Sequence, residues 1–148
     1  MSKMMNGVVR TKLNERRFTL PLSMKQKFSD DAMGRVVITL GLNNSIAVYP
    51  LDNWEEYCLA MENGTDLQYE YLNYLRKHST EQKLEKTNRI RLGKKLLNLA
   101  GIKEDIVICG SGKFVEIWDV KTFDTTDEKN QKRFSNIDPK KIRIKVYK

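Results

Sequence analysis

The residues best equipped for chemistry fall in two short stretches, LNERRFTLP (Leu13–Pro21) and LEKTNRIRL (Leu84–Leu92). Each sets a polar turn before an arginine, Arg17 or Arg89, from which apolar and polar residues alternate. A guanidinium is a planar fork of donors that can take two acceptors on a guanine edge or clamp a phosphate. Carried at the tip of a two-stranded ribbon, which a DNA major groove admits, it could read bases. Arg10, Lys12 and Arg16 surround the first arginine, and Lys83, Lys86 and Arg91 the second. These cations suit phosphates, which set affinity rather than sequence. Asn88 could reach an adenine edge. The competing reading has Arg17 and Arg89 bracing their own turns, Arg17 on Asn14 and Arg89 on Glu85, the second by a charged hydrogen bond. Exposed ion pairs stabilise little, so bracing alone does not account for basic residues gathered at both corners.

The elements that must position these residues belong to a chain of 148 residues, 40% hydrophobic and 31% charged, a globular composition with room for one domain or two intertwined halves. The net charge of +8 is unevenly laid out. Residues 1–28 carry +6 and 76–103 carry +7, around the two corners, while 29–75 carry −7. Two basic blocks in corresponding places point to a polyanion partner. No apolar run approaches the roughly 20 residues of a membrane span, and MSKMMNGVVR lacks a signal-peptide core, so a cytoplasmic protein without a membrane partner is expected. Cys58 and Cys109 lie in apolar patterns and are expected as buried free thiols; with a single histidine they make no zinc site. That histidine, His78, falls where a helix passes into a strand and suits packing better than catalysis. Glu55 and Glu56 point in different helical directions, and no nucleophile motif or phosphate-cradling glycine loop is present, so neither an enzyme nor a cofactor is expected.

The two corners belong to a longer duplication. At an offset of 72, Arg17, Leu20, Met24 and Phe28 align with Arg89, Leu92, Leu96 and Ala100; at an offset of 69, ITLG (38–41) aligns with VICG (107–110) and IAVY (46–49) with VEIW (115–118). Each copy reads as strand, turn, strand, short helix and a second hairpin, with turns at Asn14-Glu15-Arg16, Asn43-Asn44, Lys86-Thr87-Asn88 and Ser111-Gly112. Between the copies, Leu51, Trp54, Cys58 and Met61 are spaced as a helix; Asn63-Gly64-Thr65 stops it, and Asp66 is placed to cap a second helix with a stripe of Leu67, Tyr71, Tyr74 and Leu75. One copy has too few strands to bury a sheet face, so interleaved hairpins are expected. The predicted fold is α+β, mostly β, a pseudo-two-fold barrel with appended helices. Its parts are a first half at 7–51, linking helices at 52–78, a second half at 79–124 and a basic tail at 125–148. The tail reads equally as a solvated extension or a DNA contact, and its end, IRIKVYK, alternates as an edge strand would.

Three stretches, GRVVITLGLNNSIAVYPLDNWEEY (34–57), NRIRLGKKLLNLAGI (88–102) and DIVICGSGKFVEIWDVKTF (105–123), resemble the MraZ family of bacterial DNA-binding regulators over about Gly7 to Phe123. The resemblance implies two AbrB-like swapped-hairpin halves. It also implies a ring of about eight copies that binds double-stranded DNA at direct repeats in the promoter of the division and cell-wall gene cluster, and hence association with the nucleoid. The family's signature is Asp, three residues and Arg, with Gly just before the Arg and Pro four after it. Here Glu85, Asn88, Arg89 and Gly93 stand at those places in the second half. In the first, a turn one residue shorter pairs Leu13 with Leu84 and puts Asn14 at the Asp place, with Arg17 and Pro21 matching outright. Asn14 and Glu85 then shape the corners, and Arg17 and Arg89 are the implied base readers. Two other readings stay open: an antitoxin that neutralises a toxin through its tail, and a scaffold whose basic corners dock an acidic protein.

Overall fold

Two hairpins of nearly unbroken apolar residues build the centre of the molecule, seen in a computed structural model that describes residues 3–142. β3 (Arg35–Leu40) pairs with β4 (Ile46–Pro50), and β7 (Asp105–Gly110) with β8 (Val115–Asp119). Runs such as VVIT and IVIC suit strands covered on both faces. β4 joins β8 through Ile46 opposite Ile117 and Val48 opposite Val115. β1 (Val8–Lys12) and β5 (Thr80–Lys83) form the outer edges, giving the order β1-β7-β8-β4-β3-β5. Both edge pairings reach far along the chain: β1 lies against β7, and β5 against β3. β2 (Arg17–Thr19) and β6 (Arg89–Arg91) make a separate two-stranded ribbon.

The ribbon covers one sheet face. Phe18, Leu20, Ile90 and Leu92 meet Val36, Ile38, Ile106, Ile108 and Ile117 in the main core. Met24 joins them from α1 (Leu22–Lys25), and Leu96 and Leu97 from α4 (Lys94–Leu99). On the opposite face, α2 (Leu51–Glu62) and α3 (Asp66–Lys77) bury Leu51, Trp54, Leu72 and Leu75 over Val37, Ala47 and Tyr49. Beside them, Val120 and Phe123 of α5 (Val120–Phe134) cover Val107, Cys109 and Trp118. Cys58 and Cys109 are free and buried, as expected, and burial pushes the Cys109 thiol up to about 11. No helix among the described residues is long and apolar enough to cross a membrane.

Several expectations need correction. The described strands do not close into a barrel, because the short ribbon makes no ladder to either edge of the sheet. β1 and β2 do not form an extended hairpin; after a single bridge, Asn14 to Arg17, they part to pair with β7 and β6. The offset of 69 fails within β7. Ile38 faces the main core but Val107 the opposite face, so Ile38 corresponds to Ile108, at an offset of 70. The missing residue lies in the following turn, closed by Gly41 and Ser45 in one hairpin and by Ser111 and Phe114 in the other. A slip of one residue flips every side chain of a strand. Thr65, not Asp66, caps α3, in a capping box with Gln68. The buried face of α3 is Leu72 and Leu75, with Tyr71 half-buried, while Leu67 and Tyr74 are exposed. The tail expected from residue 125 begins inside α5, a helix of 15 residues that starts at Val120, and all of IRIKVYK after Ile142 lies outside the described residues.

Candidate functional site

Each corner is a tight turn closed by backbone hydrogen bonds. In the first, the Asn14 and Arg17 amides each donate to the other's carbonyl at 2.9 Å, enclosing Glu15 and Arg16 at φ 52° and 63°. Two successive left-handed residues are the mark of a type I′ turn, whose twist matches that of strands. In the second, the Glu85 amide donates to the Arg89 carbonyl at 3.1 Å across three residues, Lys86 to Asn88, with Thr87 and Asn88 left-handed. The first turn is thus one residue shorter, and Asn14 occupies the place of Glu85. The corners are tied to each other: the Leu20 amide donates to the Asn88 carbonyl at 2.9 Å, and the Leu92 amide to the Arg16 carbonyl at 2.8 Å.

Between the corners lies the ribbon. Phe18 and Ile90, opposite each other, point into the core with 2% and 0% exposure. By strand alternation their neighbours point outward. Arg17 stands opposite Arg91, and Thr19 opposite Arg89. Like charges directly opposite destabilise a ladder, so a face holding three arginines is arranged for something other than stability. The ribbon edge is pinned by the Gln82 carboxamide, which accepts from the Arg91 amide at 2.8 Å and donates to its carbonyl at 2.9 Å.

Glu85 is the acid that pairs with this face among the described residues, with Glu15 nearby in the first turn, and it does not brace Arg89 as its sequence position implied. It accepts from Nε of Arg17 at 2.8 Å, reaching from one corner to the arginine of the other. That hydrogen bond, with the charges of Arg17, Arg89 and Arg91, holds the Glu85 carboxyl below its usual range. Asn14 meets Arg17 through backbone atoms. Arg89 and Arg91 have no acidic partner among the described residues and are exposed. A cleft of about 220 Å³ opens beside the ribbon between Lys12, Asn14, Arg17, Thr19 and Arg89.

Of the other candidates, Arg16 is half-buried at the first turn, while Lys86 is exposed and Asn88 half-buried in the second. Lys12 lies 3.8 Å from Asp105 at the end of β1, and Lys83 is exposed at the end of β5. Arg10 is not brought to this site. It projects from the other sheet face, bound to Asp124 at 2.7 Å and lying 5.6 Å from the Phe123 ring centre. Reading the residues missed Thr19 and Gln82. Alternation from Arg17 already turns Thr19 outward, whereas no local signal ties Gln82 to Arg91. His78 ends α3 edge-on against Tyr74, with ring centres 5.0 Å apart. Among the described residues no group of three or more His, Cys, Asp or Glu could hold a metal ion.

This chain is 32% identical to a protein of Rhodococcus jostii (strain RHA1) named Transcriptional regulator MraZ, over 87% of this chain and 90% of that protein. It belongs to the MraZ family. A MraZ protein of Thioalkalivibrio sulfidiphilus is also 32% identical, over 81% of this chain and 83% of its own length; one of Treponema denticola is 26% identical over 88% and 92%. Both carry the same name, Transcriptional regulator MraZ. The sequence model of the family, described as "MraZ protein, putative antitoxin-like", matches residues 75–145. That span holds the second corner and β6, one strand of the arginine ribbon.

Proposed function

We propose that this protein is a non-enzymatic transcription regulator that binds double-stranded DNA through the outward face of the β2–β6 ribbon and its two corners. The carrying observation is the register of that ribbon, with Arg17 opposite Arg91 and Arg89 opposite Thr19. A two-stranded ribbon fits a major groove, and arginine is the commonest reader of guanine there. In this reading Arg89 and Arg17 contact bases, Asn88 offers an adenine-reading amide, and Arg16, Arg91, Lys12, Lys83 and Lys86 neutralise phosphates. Glu85 and Asn14 shape the corners. The naming of the relatives as transcriptional regulators supports the regulatory role.

The chain is further read as two duplicated swapped-hairpin halves, 7–51 and 79–124, joined by helices at 52–78. The crossed pairings β1 with β7, β3 with β5 and β2 with β6 support that reading. One ribbon is small beside the roughly 1,000–2,500 Å² of a specific DNA interface, so several copies acting together, in a ring of about eight on direct repeats of a division and cell-wall promoter, complete the reading. Its place of action is the cytoplasm, at the nucleoid.

The test is a binding titration at two salt concentrations on the protein's own upstream DNA and on scrambled DNA. The Arg17→Ala/Arg89→Ala variant is expected to lose the preference, at about 1–3 kcal/mol per bidentate contact. Lys12→Ala is expected to weaken both alike and to flatten the salt dependence. Wild-type binding by the double variant would reduce the corners to structure. The family model's antitoxin-like description favours a second reading, in which residues 125–148 hold a toxin; co-purification of a toxin that deletion of 125–148 abolishes would support it.

A further inference from the structure

The strongest unabsorbed feature is a cleft of about 740 Å³ between α5 and the turn of the β3–β4 hairpin. Lys121, Thr125, Lys129 and Arg133 line it, four residues apart on one ridge of the helix, with Asn43 and Asn44 opposite. No acid is among its lining residues. Lys121, Lys129 and Arg133 have no carboxylate partner among the described residues; of the acids in the segment, Asp119 caps the helix, Asp124 pairs with Arg10, Glu128 lies near Lys132, and Asp127 forms no ion pair among the described residues. Two cations four apart, as Lys129 and Arg133 are, repel along a helix, so this row does not serve helix stability.

The molecule holds its own comparison. The other hairpin turn, between β7 and β8, rests on α2 in the corresponding place. There Asn53 Nδ2 donates to the Lys113 carbonyl at 2.9 Å, Lys113 Nζ lies 3.4 Å from Glu56, and Phe114 stacks on Tyr49 with centres 4.9 Å apart. At the offset of 69 that carries β4 and α2 onto β8 and α5, Asp52, Asn53, Glu56 and Ala60 become Lys121, Thr122, Thr125 and Lys129. The groups that would fasten a turn are replaced, and two acids give way to a lysine and a threonine. The turn accordingly stands off α5 and leaves the space open.

From this substitution pattern we propose that the Lys121–Lys129–Arg133 face of α5, with the Asn43-Asn44 turn, is a second, sequence-independent site for the phosphodiester backbone of double-stranded DNA. The inference rests on the reading of the protein as DNA-binding. The cationic row runs about 18 Å along the helix, long enough to meet several phosphates, and the threonine and asparagine groups can donate hydrogen bonds to their oxygens. Asp105 pairs with Lys12 and the next residue, Ile106, with Asp119, so the first corner and the start of α5 share one end of the sheet. α5 lies on the sheet face opposite the ribbon, so a duplex seated on the first corner reaches the cleft by passing that shared end.

The experiment titrates the full chain with a random-sequence duplex over a salt series. It compares wild type, Lys121→Gln/Lys129→Gln/Arg133→Gln, the ribbon variant Arg89→Ala/Arg91→Ala, and Lys25→Gln/Lys27→Gln/Lys95→Gln, which removes equal charge away from the cleft. The α5 variant is expected to weaken binding and lower the salt slope by about 0.9 per lost phosphate contact, with its thermal unfolding unchanged. Unchanged affinity and slope in the α5 variant, or a loss matched by the Lys25 variant, would overturn the cleft while leaving the ribbon standing. Loss in the α5 variant with none in the ribbon variant supports the cleft and removes the ribbon reading. A wild type that binds no duplex at low salt would sink both.

Discussion

At the scale of single residues, the candidate site sets three arginines on unequal terms. Arg17 is held by Glu85 at 2.8 Å, whereas Arg89 and Arg91 meet no acid among the described residues. Glu85 takes only Nε of Arg17 but sets a negative charge beside it, which a phosphate approaching Arg17 must meet, so Arg17 is the conditional contact and Arg89 the open one. Glu85→Gln is expected to free Arg17, raise affinity for duplexes of any sequence and steepen the salt dependence by up to about 0.9. Salt-series titration of own and scrambled DNA reads both effects, and an unchanged slope would show that Arg17 meets no phosphate. The same pair has a pH signature. Arg17 depresses the Glu85 carboxyl, so the stability it adds is present above the ordinary carboxylate value, near ~4.3, and disappears as pH falls through the lowered one. The melting temperatures of wild type and Glu85→Gln should therefore differ by a constant amount above about pH 5 and converge in acid. A gap that persists at low pH would assign the stabilisation to packing.

At the scale of elements, the first turn places two non-glycine residues, Glu15 and Arg16, in the left-handed region, where Asn-Gly is the favoured pair. Glu15→Asn with Arg16→Gly is expected to relieve about 1 kcal/mol and raise the melting temperature by about 2–4 °C. No rise would mean that the turn already sits without strain. Gly110 acts in the opposite sense. A Cβ there would lie 2.5 Å from the Asn6 backbone nitrogen, where the N-terminal segment crosses β7 and seats buried Met5. Gly110→Ala should cost more than about 1 kcal/mol in a denaturant melt. These local features explain what the sequence made legible. Alternation after Arg17 and Arg89 exposed the ribbon face, and the polar triplets marked the turns, because both depend on neighbours in the chain. Arg17 opposite Arg91 depends on the pairing of strands about 70 residues apart, and the reach of Glu85 to Arg17 spans 68 residues. Such register leaves no mark within a short window. The slip in β7 leaves no mark in the sequence for a related reason: Val107 and Ile108 are equally apolar, and only burial on opposite faces distinguishes them. The α5 cleft is hidden as well, since Lys121 reads as the end of the second half and Lys129 and Arg133 as part of a tail, and only the helix aligns them.

At the scale of the whole molecule, interleaving governs how the arginine ribbon can exist at all. Its strands come from distant parts of the chain, β2 leading into Leu20 and Met24 and β6 into Leu92 and Leu96, and neither strand has another partner with a full ladder. Each outer strand likewise belongs to the distant hairpin, β1 to β7 and β5 to β3. Cutting the chain between Thr65 and Asp66 leaves a first piece with β3 and β4 paired but β1 and β2 without their partners, and the main core split between two fragments. A fragment exposing Phe18, Val36, Ile38, Ile46 and Val48 must either stay unfolded or bury them against a second copy. Neither 1–65 nor 66–148 is therefore expected to be a folded monomer by circular dichroism and sedimentation, and mixing them should restore cooperative unfolding together with DNA binding. A folded monomeric 1–65 would show that the crossed pairings are dispensable. In that case the ribbon, and the arginine face it holds in register, could not be a product of joining the two halves.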